Sequence, residues 1–234
     1  MFKAILFDLD GTLLSMDMAE FTKGYFGLLA NKAATAGYER GKLIDTVWRG
    51  TREMIKNDGS MSNEARFWQT FAEVYGQAAL ADKRVFDEFY ANEFGLAVSF
   101  TRPNPALAQQ VVAAARSKAE KLILATNPVF PLVAIEERLS WLGLKTSDFD
   151  FASSYENSSF CKPNPEYYRQ LLRLAGASPD EALMIGNDVA EDMEAAGKAG
   201  IRCYIVSDCV IGEPGGEEYA SGALAQLPAW LKGL

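Results

Sequence analysis

The chain has 234 residues, 49% hydrophobic and 23% charged, proportions ordinary for a soluble globular protein with room for one large core or two smaller ones. Its formal net charge is −8 and it has no basic run, so it would repel a phosphate backbone and nucleic-acid binding is disfavoured. Histidine is absent, which excludes Ser-His-Asp and Cys-His catalysis, phosphohistidine chemistry and His-ligated zinc, and leaves acid–base work to Asp, Glu, Lys, Tyr or Cys.

In chain order, Ala4 to Phe7 is an apolar run of buried-strand length, ending in Asp8 and Asp10 and broken by Gly11 and Thr12. From about Met16 to Gly95 the texture is helical. Asp17 is placed to cap a first helix through Phe21, Tyr25, Phe26, Leu28 and Leu29. A second carries Leu43, Ile44, Val47, Trp48, Met54 and Ile55. A third starts at Ser62 or Asn63, and Asp82 is expected to cap a fourth. Four such helices make a small bundle with its own core. After Arg102-Pro103 strands alternate with helices. The strands are expected at Leu122–Ala125, Phe149–Ala152, Leu183–Ile185 and Cys203–Val206. The helices follow Asn104-Pro105, run through Val133 to Leu142, follow Asn164-Pro165, and span Glu191 to Lys198, with a short amphipathic tail from Ala223 to Leu231. This pattern predicts an α/β protein: a Rossmann-like parallel sheet with helices on both faces, built from residues 1–15 and 97–234, with residues 16–96 inserted as an all-helical cap domain over the carboxyl ends of the strands. The segment Gly212 to Gly216 reads as a flexible loop without assigned function.

Cys161, Cys203 and Cys209 show no framework spacing and read as free thiols in a reducing compartment. No apolar run reaches membrane-spanning length, and the first residues lead into a strand rather than a signal-peptide layout. The expectation is a cytoplasmic protein with no membrane partner, a monomer or a homodimer.

The chemistry gathers after the strands. Asp8 and Asp10 place two carboxylates at the end of a buried strand, where open α/β sheets bind ligands. Their repulsion raises a pKa or calls for a cation, and Mg²⁺ fits best if the substrate carries phosphate. Thr126 and Asn127 offer a hydroxyl and backbone N–H groups for phosphate oxygens. Lys162, before Pro163-Asn164-Pro165, supplies a fixed ammonium for an anion. Gly186-Asn187-Asp188, with Asp192 four residues on, adds further carboxylate to the cation. Taken singly these are turn residues, a surface lysine and helix N-terminal acids. Their shared placement at one sheet edge is what gives them weight. Arg49, Arg52 and Trp68 belong to the predicted cap and could reach a ligand, but each is more simply read as core or solvated surface.

In order, Asp8-Leu9-Asp10-Gly11-Thr12, Thr126, Lys162-Pro163 and Gly186-Asn187-Asp188 with Asp192 resemble the four motifs of the haloacid-dehalogenase-like hydrolases, and the helical insertion resembles that family's alpha-helical cap. The resemblance implies an enzyme that hydrolyses phosphate monoesters: a Mg²⁺-dependent phosphatase acting on a small phosphorylated metabolite through an aspartyl-phosphate. It implies Asp8 as nucleophile and Asp10 as general acid–base. Asp8, the Asp10 backbone carbonyl and Asp188 would hold the metal. Thr126, Asn127 and Lys162 would hold the phosphoryl group, with Lys162 steadying the nucleophile and Asp192 orienting Lys162 or a metal-bound water. Many members place an acid directly after the glycine, where this chain has Asn187, so Asn187 or Asp192 stand as alternatives to Asp188 at the metal. The acid at position 10 argues against the dehalogenase and phosphonatase patterns. A phosphomutase shares all four motifs, and a non-catalytic phosphate-binding module on the same fold is the reading outside enzymes.

Overall fold

The computed structural model describes residues 1–213 and 219–234, so the last three residues of the loop expected at Gly212 to Gly216 lie outside the described residues. The apolar run at the N-terminus forms β1 (Phe2–Phe7). A short strand, β2 (Ser15–Met16), leads into the helices α1 (Met18–Ala34), α2 (Arg40–Ile55), α3 (Asn63–Tyr75) and α4 (Lys83–Asn92). The chain returns through β3 (Thr101–Arg102), which pairs antiparallel with β2 and closes the base of the helical insertion. It then alternates: α5 (Pro105–Arg116), β4 (Ala119–Leu124), α6 (Leu132–Trp141), β5 (Phe151–Ala152), α7 (Pro165–Ala175) and β6 (Ala182–Gly186). The last part is a π turn at Val189–Glu194 running into α8 (Ala195–Lys198), then β7 (Arg202–Val206), β8 (Ala220–Gly222) and α9 (Leu227–Lys232).

The main sheet is parallel, in the order β5-β4-β1-β6-β7-β8. Alternation along β1 shows why Ala4 to Phe7 are all apolar. Ile5 and Phe7 pack with Val111 of α5, Ile135 of α6 and Leu227 of α9. Ala4 and Leu6 pack on the opposite face with Tyr167 and Leu171 of α7 and Met193 of the π turn. The first of these cores continues into the insertion, through Phe21, Leu43, Phe71 and Phe89. Among the described residues no helix is long and apolar enough to cross a membrane.

Most helix starts follow the expected chemistry. Asp17, Ser62, Asn104 and Asn164 each accept a backbone N–H of the turn that follows. Asp82 does not. A 3₁₀ segment, Gln77–Asp82, runs directly into α4, so the backbone at Asp82 is already helical and its carboxylate instead accepts the Tyr38 hydroxyl at 2.8 Å. The strand expected at Phe149–Ala152 is shorter, because a 3₁₀ turn occupies Thr146–Asp148 and the Asp150 carboxylate is bound by Arg116 and by the Leu122 N–H. The helix expected from Glu191 begins instead as the π turn, and β8 adds a strand beyond the one expected last.

Candidate active site

The order of the sheet makes β1 the place where the connections reverse, with β4 on one side and β6 on the other. A crevice at the carboxyl ends of the strands follows from that reversal. The register levels Phe7 with Leu124 and Ile185, so the residues after each strand emerge along one edge. Asp8, Asp10, Thr126, Asn127, Asn187, Asp188, Glu191 and Asp192 all line a single cavity of about 310 Å³ there.

Lys162 lies beneath them. Its side chain is 1% exposed and its ammonium donates to Asp8 Oδ1 at 2.8 Å and to Asp192 Oδ1 at 2.6 Å. Burial works against its charge, but the carboxylates of Asp192 and Asp8 outweigh it and hold the ammonium well above its ordinary value. Asp192 is fixed in turn: its Oδ2 accepts the backbone N–H groups of Asn187 and Asp188, both at 3.0 Å. A Cβ at Gly186 would collide with that carboxylate, so the glycine is needed for the approach. Burial raises the Asp8 carboxyl above the usual carboxylate range, with Lys162 opposing it.

Thr12 joins the first and last clusters, its hydroxyl lying 2.8 Å from Asn187 Oδ1 and 3.1 Å from Asp8 Oδ2. The Asn187 amide also donates to the Cys209 carbonyl at 2.7 Å. Gly11, at φ +88°, makes the turn between them, and a side chain there would strike Asn187. Asn187 is therefore a fastening of the crevice as well as part of its wall. Asp188 caps the π turn, its Oδ1 accepting the N–H groups of Ala190 and Glu191 at 2.9 Å. Burial raises its carboxyl against those two bonds. Asn127 donates to Glu191 Oε2 at 3.0 Å, and Glu191 too is raised by burial. The Thr126 carbonyl accepts the Tyr167 hydroxyl at 2.8 Å, which fixes the turn after β4.

Asp10 has a partner that the sequence reading did not anticipate. Its Oδ2 is bound by the guanidinium of Arg138 on α6, which is fully buried and stacks over the Phe130 ring with 4.5 Å to the centroid. The Arg138 Nε donates to the Ala134 carbonyl. Asp10 Oδ1 is buried without a hydrogen-bond partner. A signal for Arg138 was present: it lies on the Ile135, Leu139, Leu142 face of its helix, where a charge needs a buried counter-charge. Tyr168 was also missed; its hydroxyl donates to the Glu191 carbonyl at 2.8 Å beside Asp192. Of the three residues weighed in the insertion, Trp68 lines the cavity. Arg49 is turned away onto Glu73 at 2.6 Å, and Arg52 is not among the lining residues.

Could these residues hold Mg²⁺? The donors are oxygens throughout, and the acids Asp8, Asp10, Asp188, Glu191 and Asp192 outnumber the cations Lys162 and Arg138. Three of those acids, Asp8, Asp188 and Glu191, are raised chiefly by their burial. Among the described residues no three Asp, Glu, His or Cys side chains form a ready cage, since Asp10 is turned to Arg138 and Asp188 to its cap. An open oxygen site of this kind suits Mg²⁺, which keeps several waters and shares its shell with phosphate.

Comparison with known proteins agrees with the geometry. Residues 2–200 match the family model described as haloacid dehalogenase-like hydrolase. The chain is 26% identical over 211 residues to the glyceraldehyde 3-phosphate phosphatase of Methanothermobacter thermautotrophicus, covering 88% of this chain and 86% of that one. It is 26% identical over 204 residues to phosphoglycolate phosphatase 1 of Pseudomonas aeruginosa, covering 86% and 68%. The crystal structure of 2-haloacid dehalogenase from Pseudomonas syringae superposes with a TM-score of 0.65 at 20% identity over 99% of both chains, a likeness of fold. The chain belongs to the haloacid dehalogenase-like hydrolase family.

Proposed function

We propose that this enzyme is a Mg²⁺-dependent phosphatase that hydrolyses a small phosphorylated metabolite through an aspartyl-phosphate on Asp8. The observation that carries the reading is the juxtaposition of Asp8, held by buried Lys162, with Asp10 and Thr126 in one cavity. In the first half-reaction the Asp8 carboxylate attacks phosphorus, the bond to the ester oxygen breaks, and Asp10 gives that oxygen a proton. Arg138 binds Asp10 Oδ2 and leaves Oδ1 without a hydrogen bond, which supports assigning the proton transfer to Oδ1. In the second half-reaction Asp10 takes a proton from water, the water oxygen attacks phosphorus, and the bond to Asp8 breaks to release inorganic phosphate. Throughout, Lys162 and the Thr126 hydroxyl oppose the charge spread over the equatorial oxygens.

The acids present suit Mg²⁺, with Asp8, Asp188 and the Asp10 backbone carbonyl as its holders. When bound it offsets the repulsion between a carboxylate nucleophile and a phosphate dianion. A phosphomutase primed by a bisphosphate is the weaker reading, because among the described residues no Lys or Arg lines the cavity to receive a second phosphoryl group. The test is phosphate release from p-nitrophenyl phosphate with Mg²⁺ and with excess chelator. Turnover that is restored by Mg²⁺ after chelation supports the reading. Equal rates in both conditions, or no release here and on a panel of metabolite phosphates, contradicts it.

A further inference from the structure

The floor of the cavity is polar, but its walls are not. Where the insertion closes over the crevice, the lining comes from Phe21, Tyr25, Phe26, Val47, Trp68 and Phe86, with Phe130 and Ile211 from the core side. Polar groups are few among them, and Trp68 Nε1 is buried without a hydrogen-bond partner. The hydroxyls of Tyr25 and Tyr90 bond each other at 2.8 Å, and the Thr51 hydroxyl donates to the Val47 carbonyl at 3.0 Å. Among the described residues the cavity has neither a Lys nor an Arg in its lining, and Asp87 on the wall is acidic.

These facts bear on what is attached to the phosphoryl group. A second anion, whether carboxylate or phosphate, would enter a pocket already rich in acid with no cation to meet it. A sugar would bring several hydroxyls to walls with few open hydrogen-bonding groups and lose its hydration without replacement. An apolar group gains instead by leaving water. Space is sufficient: an apolar cavity of about 150 Å³ takes up benzene, and this one is about twice as large.

We infer that the substrate is the phosphate monoester of an uncharged apolar alcohol, aliphatic or aromatic, whose organic group is received by the aromatic wall of the insertion. The inference rests on the phosphatase reading of the same site. It departs from the names of two of the relatives, a glyceraldehyde 3-phosphate phosphatase and a phosphoglycolate phosphatase.

The experiment measures phosphate release with Mg²⁺ from methyl, propyl and hexyl phosphate and from phenyl phosphate. Glyceraldehyde 3-phosphate, phosphoglycolate and glucose 6-phosphate are run beside them. The alkyl esters share one leaving-group chemistry, so the series reads burial. The expected result is a rise in kcat/KM of about two- to fourfold for each buried methylene, with hexyl phosphate at least tenfold above all three polar esters. A flat alkyl series, or a polar ester that outruns hexyl phosphate, overturns the inference and leaves the phosphatase reading standing. No release from any ester, p-nitrophenyl phosphate included, overturns both. A second test uses Thr22→Lys, a half-buried wall position on α1. The added ammonium is expected to lower the ratio of hexyl phosphate to phosphoglycolate turnover at least tenfold. A ratio that does not move overturns the assignment of this wall to the organic group.

Discussion

On the sheet side of the cavity, side chains are tied down by name: Lys162 to Asp8 and Asp192, Asp192 to two backbone N–H groups, Asp10 to Arg138, Thr12 to Asn187. On the insertion side the contacts are aromatic rings packed against one another, such as Tyr25 with Phe26 and Phe130, and Trp68 with Phe71 and Phe86. The two sides answer different demands. Phosphoryl chemistry needs charges at fixed positions, which a hydrogen-bond network on a rigid sheet supplies. Recognition of an organic group needs shape and dryness, which packed rings supply with little directional constraint. Changes to the reacting groups on the sheet side should therefore act on rate, and changes to their buried partners or to the insertion side on stability and selectivity.

The largest effect expected from this contrast is at Asp8. Asp8→Asn keeps the shape of the side chain and leaves Lys162 its bond to Asp192. Turnover should fall by about 10⁴-fold or more, while thermal denaturation stays near that of the parent. Activity near that of the parent would remove the nucleophile from the account. Next is Asp10→Asn, expected to cost about 10²-fold or more with an alkyl leaving group and clearly less with p-nitrophenolate, which departs without a proton. An equal loss for both esters would deny Asp10 the role of acid.

Arg138→Met sharpens the contrast from another direction, because it removes a fully buried cation and leaves the carboxylate it held. Breaking a buried pair in this way costs about 3–5 kcal/mol, read by urea denaturation. Adding Asp10→Asn to it should recover part of that loss, as coupled sites do. Strictly additive losses would mean that the guanidinium stabilises through its packing on Phe130 alone. The smallest effect is Ser62→Ala, which removes the cap of α3. It should cost about 1 kcal/mol and leave turnover within twofold, by the same denaturation and phosphate-release assays. A large loss of rate from this half-buried cap would contradict the division between the two sides.

Much of the sheet side can be read from the chain because its signals are local. Asp8, Thr126 and Asn187 each follow an apolar run, and parallel pairing brings the ends of such runs together whatever lies between them. Arg138 eludes that reasoning because its partner lies 128 residues away, and nothing near it in the chain names Asp10. Asn187 has the same difficulty: its contacts with Thr12 and Cys209 come from opposite ends of the sequence. β8 escapes because Ala-Ser-Gly carries no apolar run, being held at the sheet edge by its pairing with β7. The π turn escapes because one extra residue per turn leaves no mark in the periodicity. The insertion reads clearly as helices but poorly as a pocket. Its aromatic residues follow the same spacing whether they fill a core or face a ligand, and only the closed tertiary arrangement separates Phe89, which is core, from Phe86, which lines the cavity.

The central claim, that Asp8 is the atom-to-atom acceptor of the phosphoryl group, is tested most directly by trapping. The enzyme with Mg²⁺ is mixed with ³²P-labelled phenyl phosphate, quenched in acid within the first turnover, and the protein is counted. The account predicts label on the protein that is released by hydroxylamine, as an acyl phosphate is, and that is missing from Asp8→Asn. Rapid turnover with no label at any quench time, or label that persists in Asp8→Asn, would contradict it.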